Sequence, residues 1–176
     1  MKKTFVSIIM LIILVLSLFN YANAQVLRDT DTKNLYKEEA QIVTVFNTNG
    51  QNFYLTNSDI HLMAQVVYAE SCAEPYEGKI AVASVILNRL RDGRFPNNVE
   101  GVVKQKSAFS CVRNGNITVT PDENCYRAVK EALKGNDPTN NAIYFYNPKI
   151  ATSKWMKNIN KSNVKKIGNH VFFIVQ

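Results

Sequence analysis

Residues 56–71 read TNSDIHLMAQVVYAES and residues 75–90 read PYEGKIAVASVILNRL. The two stretches decide the fold class. Thr56-Asn57-Ser58-Asp59 offers a capping residue with an acid three places on, a helix-start signature. Ile60, Met63, Ala64 and Val67 then recur at helical spacing, which predicts a helix from Ser58 to Ser71. In the second stretch Pro75 suits a helix start, and a helix is predicted from Tyr76 to Leu90. Its residues Ile80, Ala81, Ala83, Val85, Ile86 and Leu87 are apolar on nearly every side, as in a helix buried at the centre of a domain.

Working outward, Arg91-Asp92-Gly93 ends the second helix, Phe95-Pro96-Asn97-Asn98 forms a loop, and a short helix follows over Val99–Lys104. Phe109 to Thr118 is irregular or hairpin-like, with Asn114-Gly115 as the turn signal. Thr120-Pro121-Asp122-Glu123 predicts another start, with Thr120 as cap and Glu123 closing a capping box. Gly135 is placed to terminate that helix. Ala142–Tyr146 and Val171–Val175 read as strands, with a basic polar loop carrying Trp155 between them. The expected class is α+β, helix-dominated, with a small antiparallel β element.

Upstream, Met1-Lys2-Lys3, the apolar run Phe5–Phe19 and the small-residue site Ala22-Asn23-Ala24 predict a signal peptide over 1–24. A membrane anchor is the alternative, but the run is short for a bilayer span and no basic stop-transfer cluster follows. Residues 25–57 read as a polar tether with one strand-like stretch, Gln41–Phe46, and 58–176 as the catalytic domain. No stable membrane span is expected after processing. The formal charge is +7, lowered by two if Lys2 and Lys3 leave with the leader. A basic exported protein suits an acidic polymer of the wall. Nucleic acid is not expected, because Lys and Arg are scattered rather than gathered in a stripe.

Three cysteines occur, Cys72, Cys111 and Cys125. Export permits a disulfide, and Cys111–Cys125 is the better-placed pair, which leaves Cys72 free and buried. No CxxC pair occurs, so no structural metal site and no cofactor are expected.

Glu70 is the most informative acid. It lies three residues after Val67 and seven after Met63, so it extends the apolar stripe. Loss of hydration there favours the neutral carboxyl that a general acid requires. The alternative is a helix-end acid reaching water or pairing with Lys79 or Arg89. Glu74 and Glu77 lie close by; Glu77 suits the first turn of the second helix, and either is also a candidate second carboxylate. Tyr144 and Tyr146 share one strand face, and with Trp155 they are candidates for stacking on sugar rings, against core packing as the alternative. His61 and His170 are the only histidines. A Cys111–His170 thiol–imidazole pair is conceivable, but a hydrogen-bonded strand histidine is the simpler reading.

From Leu62 onward the chain resembles the SleB/CwlJ-type spore cortex-lytic cell-wall hydrolase family. The resemblance rests on Ala64–Glu70, Glu74–Arg89, Phe95-Pro96-Asn97, Ala108-Phe109-Ser110, Asp137-Pro138-Thr139, Tyr144–Pro148, Ser153-Lys154-Trp155 and Ile167–Phe172, in that order. It implies a lysozyme-like core related to lytic transglycosylases, with Glu70 as the acid. The implied substrate is peptidoglycan glycan strands, often of the spore cortex, cut between N-acetylmuramic acid and N-acetylglucosamine. Ser110, Tyr144, Tyr146 and Trp155 match positions expected to hold the sugars. A single acid suits transglycosylation somewhat better than hydrolysis, since ordinary glycosidases need two carboxylates. Two departures stand out. Residues 25–57 leave no room for the peptidoglycan-binding domain of longer members, and the segment after the acid is Ser71-Cys72-Ala73. The rival functions are a wall amidase or peptidase using Cys111 and His170, and a non-catalytic wall-binding module.

Overall fold

The computed structural model describes residues 47–48 and 51–175. The expected signal peptide, most of the tether and the strand-like stretch Gln41–Phe46 lie outside them. The described part opens with a short antiparallel ladder, β1 (Asn47–Thr48) on β2 (Gln51–Asn52). Leu55 is already core, at 3 % exposure, so the packed body reaches back into the segment read as tether.

Helix α1 spans Asn57–Ser71 and starts where its capping box requires. Asp59 N donates to Thr56 Oγ1 at 3.1 Å, and Thr56 N donates back to Asp59 Oδ2 at 2.8 Å. Met63, Ala64, Val66 and Val67 are fully buried. At the other end the Lys79 ammonium, itself buried, donates to Ser71 O (2.7 Å) and Cys72 O (3.0 Å), covering carbonyls the helix leaves open.

Helix α2 (Tyr76–Arg91) is buried from Gly78 through Leu90 and packs against α1, α3 (Val99–Lys104) and α4 (Glu123–Leu133). The expected central helix is therefore present. The cap of α4 differs from the expectation. Asp122, not Thr120, is the N-cap, its carboxylate accepting from Cys125 N at 2.9 Å. At the far end Gly135 adopts φ +93°; its N–H donates to Ala132 O and that of Asn136 to Glu131 O, closing a Schellman motif.

The sheet has three strands in the order β3-β5-β4, all antiparallel: β3 is Tyr144–Tyr146, β4 Lys161–Ile167 and β5 His170–Val175. The stretch expected to be a loop instead holds a short helix α5 (Lys154–Asn158), capped by Ser153, and the whole of β4. Strand β4 is an edge strand rich in lysine, with Val164 exposed, and it carries a bulge between Ser162 and Lys165 where Asn163 takes φ +49°. Lysines and bulges protect edges from further pairing but erase the alternation by which a strand is read. Gly168, at φ +58°, opens the two-residue turn into β5.

Candidate active site

Glu70 ends the last turn of α1 half-buried, between the core stripe and solvent. Its Oε1 accepts two hydrogen bonds from one loop: Ser110 Oγ at 3.0 Å and Cys111 N at 3.1 Å. That loop is held in place from both sides. Gln65, one turn and a residue before Glu70, donates to Val119 O and Ile117 O, while Phe109 is buried in the core and stacks at a tilt on Phe145. Asn114 and Gly115, at φ +51° and +77°, make the expected turn, with Arg113 and Asn116 exchanging 3.0 Å hydrogen bonds. The two partners weighed for Glu70 are engaged elsewhere. Lys79 caps α1, and Arg89 Nε donates to Ile143 O at 2.8 Å.

The C-terminal half of α2 fixes the loop before β3. Asn88 donates to Ala142 O and to Asp137, whose carboxylate also accepts from Thr139 and Asn141 N. Burial pushes the Asp137 carboxyl up, but these four donors hold it below its ordinary value. The loop is thereby fixed, and β3 leaves it with Tyr144 in a set position. Tyr144 packs edge-on to Trp155 (5.4 Å), stacks on Phe173 (5.6 Å) and meets Phe95 (6.2 Å). A groove of about 430 Å³ opens here, lined among others by Arg89, Phe95, Lys106, Tyr144, Ser153 and Trp155. Trp155 is 48 % exposed, its ring left open to solvent rather than packed in the core. A larger hollow of about 740 Å³ borders Asp59 and Asp92. Those acids are engaged by the Thr56 cap and by Arg94, so size there brings no available acid.

The expected site residues thus separate. Tyr144 and Trp155 meet in the groove. Tyr146 shares the face of Tyr144 but packs edge-on to Phe173 beneath the Lys161 ammonium, outside the groove lining. Ser110 faces Glu70. Arg89 and Phe95, which sequence reasoning did not place in the groove, belong to it. The signal for Arg89 was a charged residue just after the apolar run Ile80–Leu87 of a helix read as buried.

Glu74 is engaged with the β4–β5 turn. Its side chain is 7 % exposed and accepts from Asn169 N (2.8 Å) and Asn169 Nδ2 (3.1 Å), clamping the β4–β5 turn. A Cβ at Gly168 would overlap this carboxylate, a second reason for glycine there. Burial pushes the Glu74 carboxyl up, but the Asn169 bonds, with His170 and Lys79 nearby, hold it below its ordinary value. Glu77 is exposed in the first turn of α2.

The cysteines correct two expectations. Cys111 and Cys125 form no disulfide, and all three thiols are free. Cys125 points into the core from the first turn of α4, whereas Cys111 lies against Glu70, so the two side chains serve different neighbourhoods. Cys72 is exposed, not buried, because α1 has ended before it can turn inward. Burial, and then the Glu70 carboxylate beside it, push the Cys111 thiol up to about 12. Such a thiol is essentially un-ionised at neutral pH and a poor nucleophile. His170 is packed instead between Phe145 and Phe172, with Nδ1 3.8 Å from Glu74. Among the described residues, no helix is long and apolar enough to cross a membrane.

The model of the Cell Wall Hydrolase family matches residues 73–173, a stretch that begins just after Glu70. A spore cortex-lytic enzyme of Bacillus cereus is 50 % identical over 125 residues, covering 71 % of this chain and 47 % of that protein. One from Bacillus subtilis is 46 % identical over 117 residues, 66 % of this chain and 38 % of that protein. The chain therefore spans about half or less of the length of these relatives. Among solved structures, the catalytic domain of the Bacillus cereus SleB protein aligns with a TM-score of 0.61 at 49 % identity, over 68 % of this chain and 91 % of that one. The catalytic domain of the germination-specific lytic transglycosylase SleB from Bacillus anthracis gives 0.63 at 46 % identity, over 73 % and 100 %. With more than half of its residues inside one family model, and solved domains matching it at nearly half identity, the chain belongs to the cell wall hydrolase family.

Proposed function

We propose that this chain cleaves peptidoglycan glycan strands between N-acetylmuramic acid and N-acetylglucosamine as a lytic transglycosylase. The observation that carries the reading is Glu70, fixed through one oxygen at the end of α1, with its charge felt by Arg89, a lining residue of the aromatic groove. Ser110 Oγ and Cys111 N both donate to Oε1, so Oε2 is the oxygen left to deliver a proton. Protonated Glu70 gives that proton to the glycosidic oxygen as the C1–O bond breaks, and C1 of the muramic sugar gains oxocarbenium character. The carboxylate then takes the proton of the C6 hydroxyl as its oxygen bonds to C1, giving a 1,6-anhydro sugar and restoring the acid. Neither water nor a second carboxylate enters the chemistry, which suits a site where Glu74 is engaged with a hairpin and Glu77 faces solvent. Tyr144 and Trp155 stack the sugars; Ser110 orients the acid; Tyr146 extends the same face.

The relatives named spore cortex-lytic enzymes and the germination-specific domain favour the spore cortex as the wall in question and germination as the occasion. The leader-like residues 1–24 and the basic charge fit secretion to that acidic polymer. The test is mass spectrometry of muropeptides released from cortex and vegetative sacculi. Anhydro-ended products, one water lighter than hydrolysed ones, are expected from the wild type. Glu70→Gln should reduce release by about 10²–10⁴-fold. Reducing ends without anhydro ends would replace transglycosylation by hydrolysis. Release undiminished in Glu70→Gln would remove Glu70 from the mechanism.

A further inference from the structure

Arg89 is a buried cation whose hydrogen-bonding capacity the fold leaves largely unused. It is 4 % exposed, and its one hydrogen bond runs from Nε to Ile143 O. The buried Nη1 has no acceptor, and no carboxylate lies within ion-pair distance among the described residues. Three rings surround the guanidinium, Phe109 at 4.9 Å, Phe95 at 5.4 Å and Tyr144 at 5.8 Å from Cζ. Burial pushes its pKa down to about 10, with Tyr144 and Glu70 opposing, so it stays charged at neutral pH. A buried donor without an acceptor is costly, and more so when charged, so it calls for an explanation that packing alone does not give. The same side chain lines the 430 Å³ groove, whose lining holds a second cation, Lys106, and no acid.

We propose that Arg89, helped by Lys106, forms a subsite for a carboxylate carried on the sugar that stacks against Tyr144 and Trp155, and that Arg89 is thereby a specificity-determining residue. The proposal rests on the peptidoglycan reading above. The planar guanidinium matches a carboxylate in a way that the surrounding rings, which engage only its face, cannot. Two sources carry that chemistry in the wall: the lactyl carboxylate of muramic acid without a peptide, and a carboxylate of the stem peptide. A neutral lactam ring offers neither.

The test uses the full chain carrying Glu70→Gln, so that ligands are bound and not cut. N-acetylmuramic acid, its methyl ester, muramyl dipeptide and N-acetylglucosamine are titrated separately, with binding read from the Trp155 indole N–H and Arg89 Nε–H resonances. The acid or the dipeptide is expected to bind about tenfold more tightly than the ester, equivalent to one charge-assisted contact. Whichever of the two is preferred identifies the source. Added Arg89→Gln should abolish the preference, Arg89→Lys should keep part of it, and Lys106→Ala should weaken it. Equal binding of acid and ester, no binding of either, or a preference that survives Arg89→Gln overturns the proposal. If Arg89→Gln does not fold, the acid-against-ester comparison and Lys106→Ala still decide. Anhydro products from wild-type protein on sacculi would show the cleavage reading intact even when the subsite fails.

Discussion

Replacing Glu74 by Gln separates a one-acid site from a two-acid site. Glu74 accepts two hydrogen bonds from Asn169, one from the backbone and one from the side chain, at a position only 7 % exposed. Glutamine keeps one acceptor oxygen and turns the other into a donor that faces a donor. One buried donor then loses its partner, which costs about 1–3 kcal/mol, and the bond that survives loses its charge assistance, about another 1 kcal/mol. Destabilisation of about 2–4 kcal/mol is expected. At about 2–4 °C per kcal/mol for a chain of this size, the thermal midpoint at pH 7 should fall by roughly 5–15 °C. The pH dependence has a definite sign. The Glu74 carboxyl is held below its ordinary value of 4.5, so its contribution is fully present above that value and disappears as pH falls through the depressed one. The gap between wild type and Glu74→Gln should therefore be widest at neutral pH and close under acid. Activity per folded molecule, assayed well below the mutant's midpoint, should stay within about threefold, because no step of the proposed chemistry passes through Glu74. A folded variant with a thousandfold loss would make Glu74 a second catalytic carboxylate and refute the reasoning, and an unchanged midpoint would dismiss the clamp.

Ser110→Ala removes one of the two donors on Glu70 Oε1 while Cys111 N keeps the other; kcat should fall about tenfold with KM little changed, as measured by release of anhydro-muropeptides. Iodoacetamide at pH 8 with mass mapping should label exposed Cys72 within minutes, and Cys111 and Cys125, pushed up to about 12 and about 11, far more slowly, while Cys111→Ser retains activity. Lys79→Met should lower stability by about 2–3 kcal/mol in urea unfolding, because the carbonyls of Ser71 and Cys72 lose a charged donor in a buried setting.

What the sequence determined by itself is whatever a short segment settles locally. The capping box at Thr56 and Asp59, the apolar run of α2, the Asn114-Gly115 turn and the terminating Gly135 were all legible, since propensity, patterning and φ preferences act over a few residues. Glu70 was legible as a candidate because helical spacing alone puts it beside the core stripe. Tertiary structure decided the rest. Strand β4 forms because β5 supplies its hydrogen bonds, and its own lysines and bulge conceal the period. The cysteines stay apart because α4 turns Cys125 into the core while a loop held by Gln65 brings Cys111 to Glu70. Glu74 and Asn169 meet across 95 positions of chain. Partnerships at that separation depend on how helices and sheet pack together, which no local window of residues encodes.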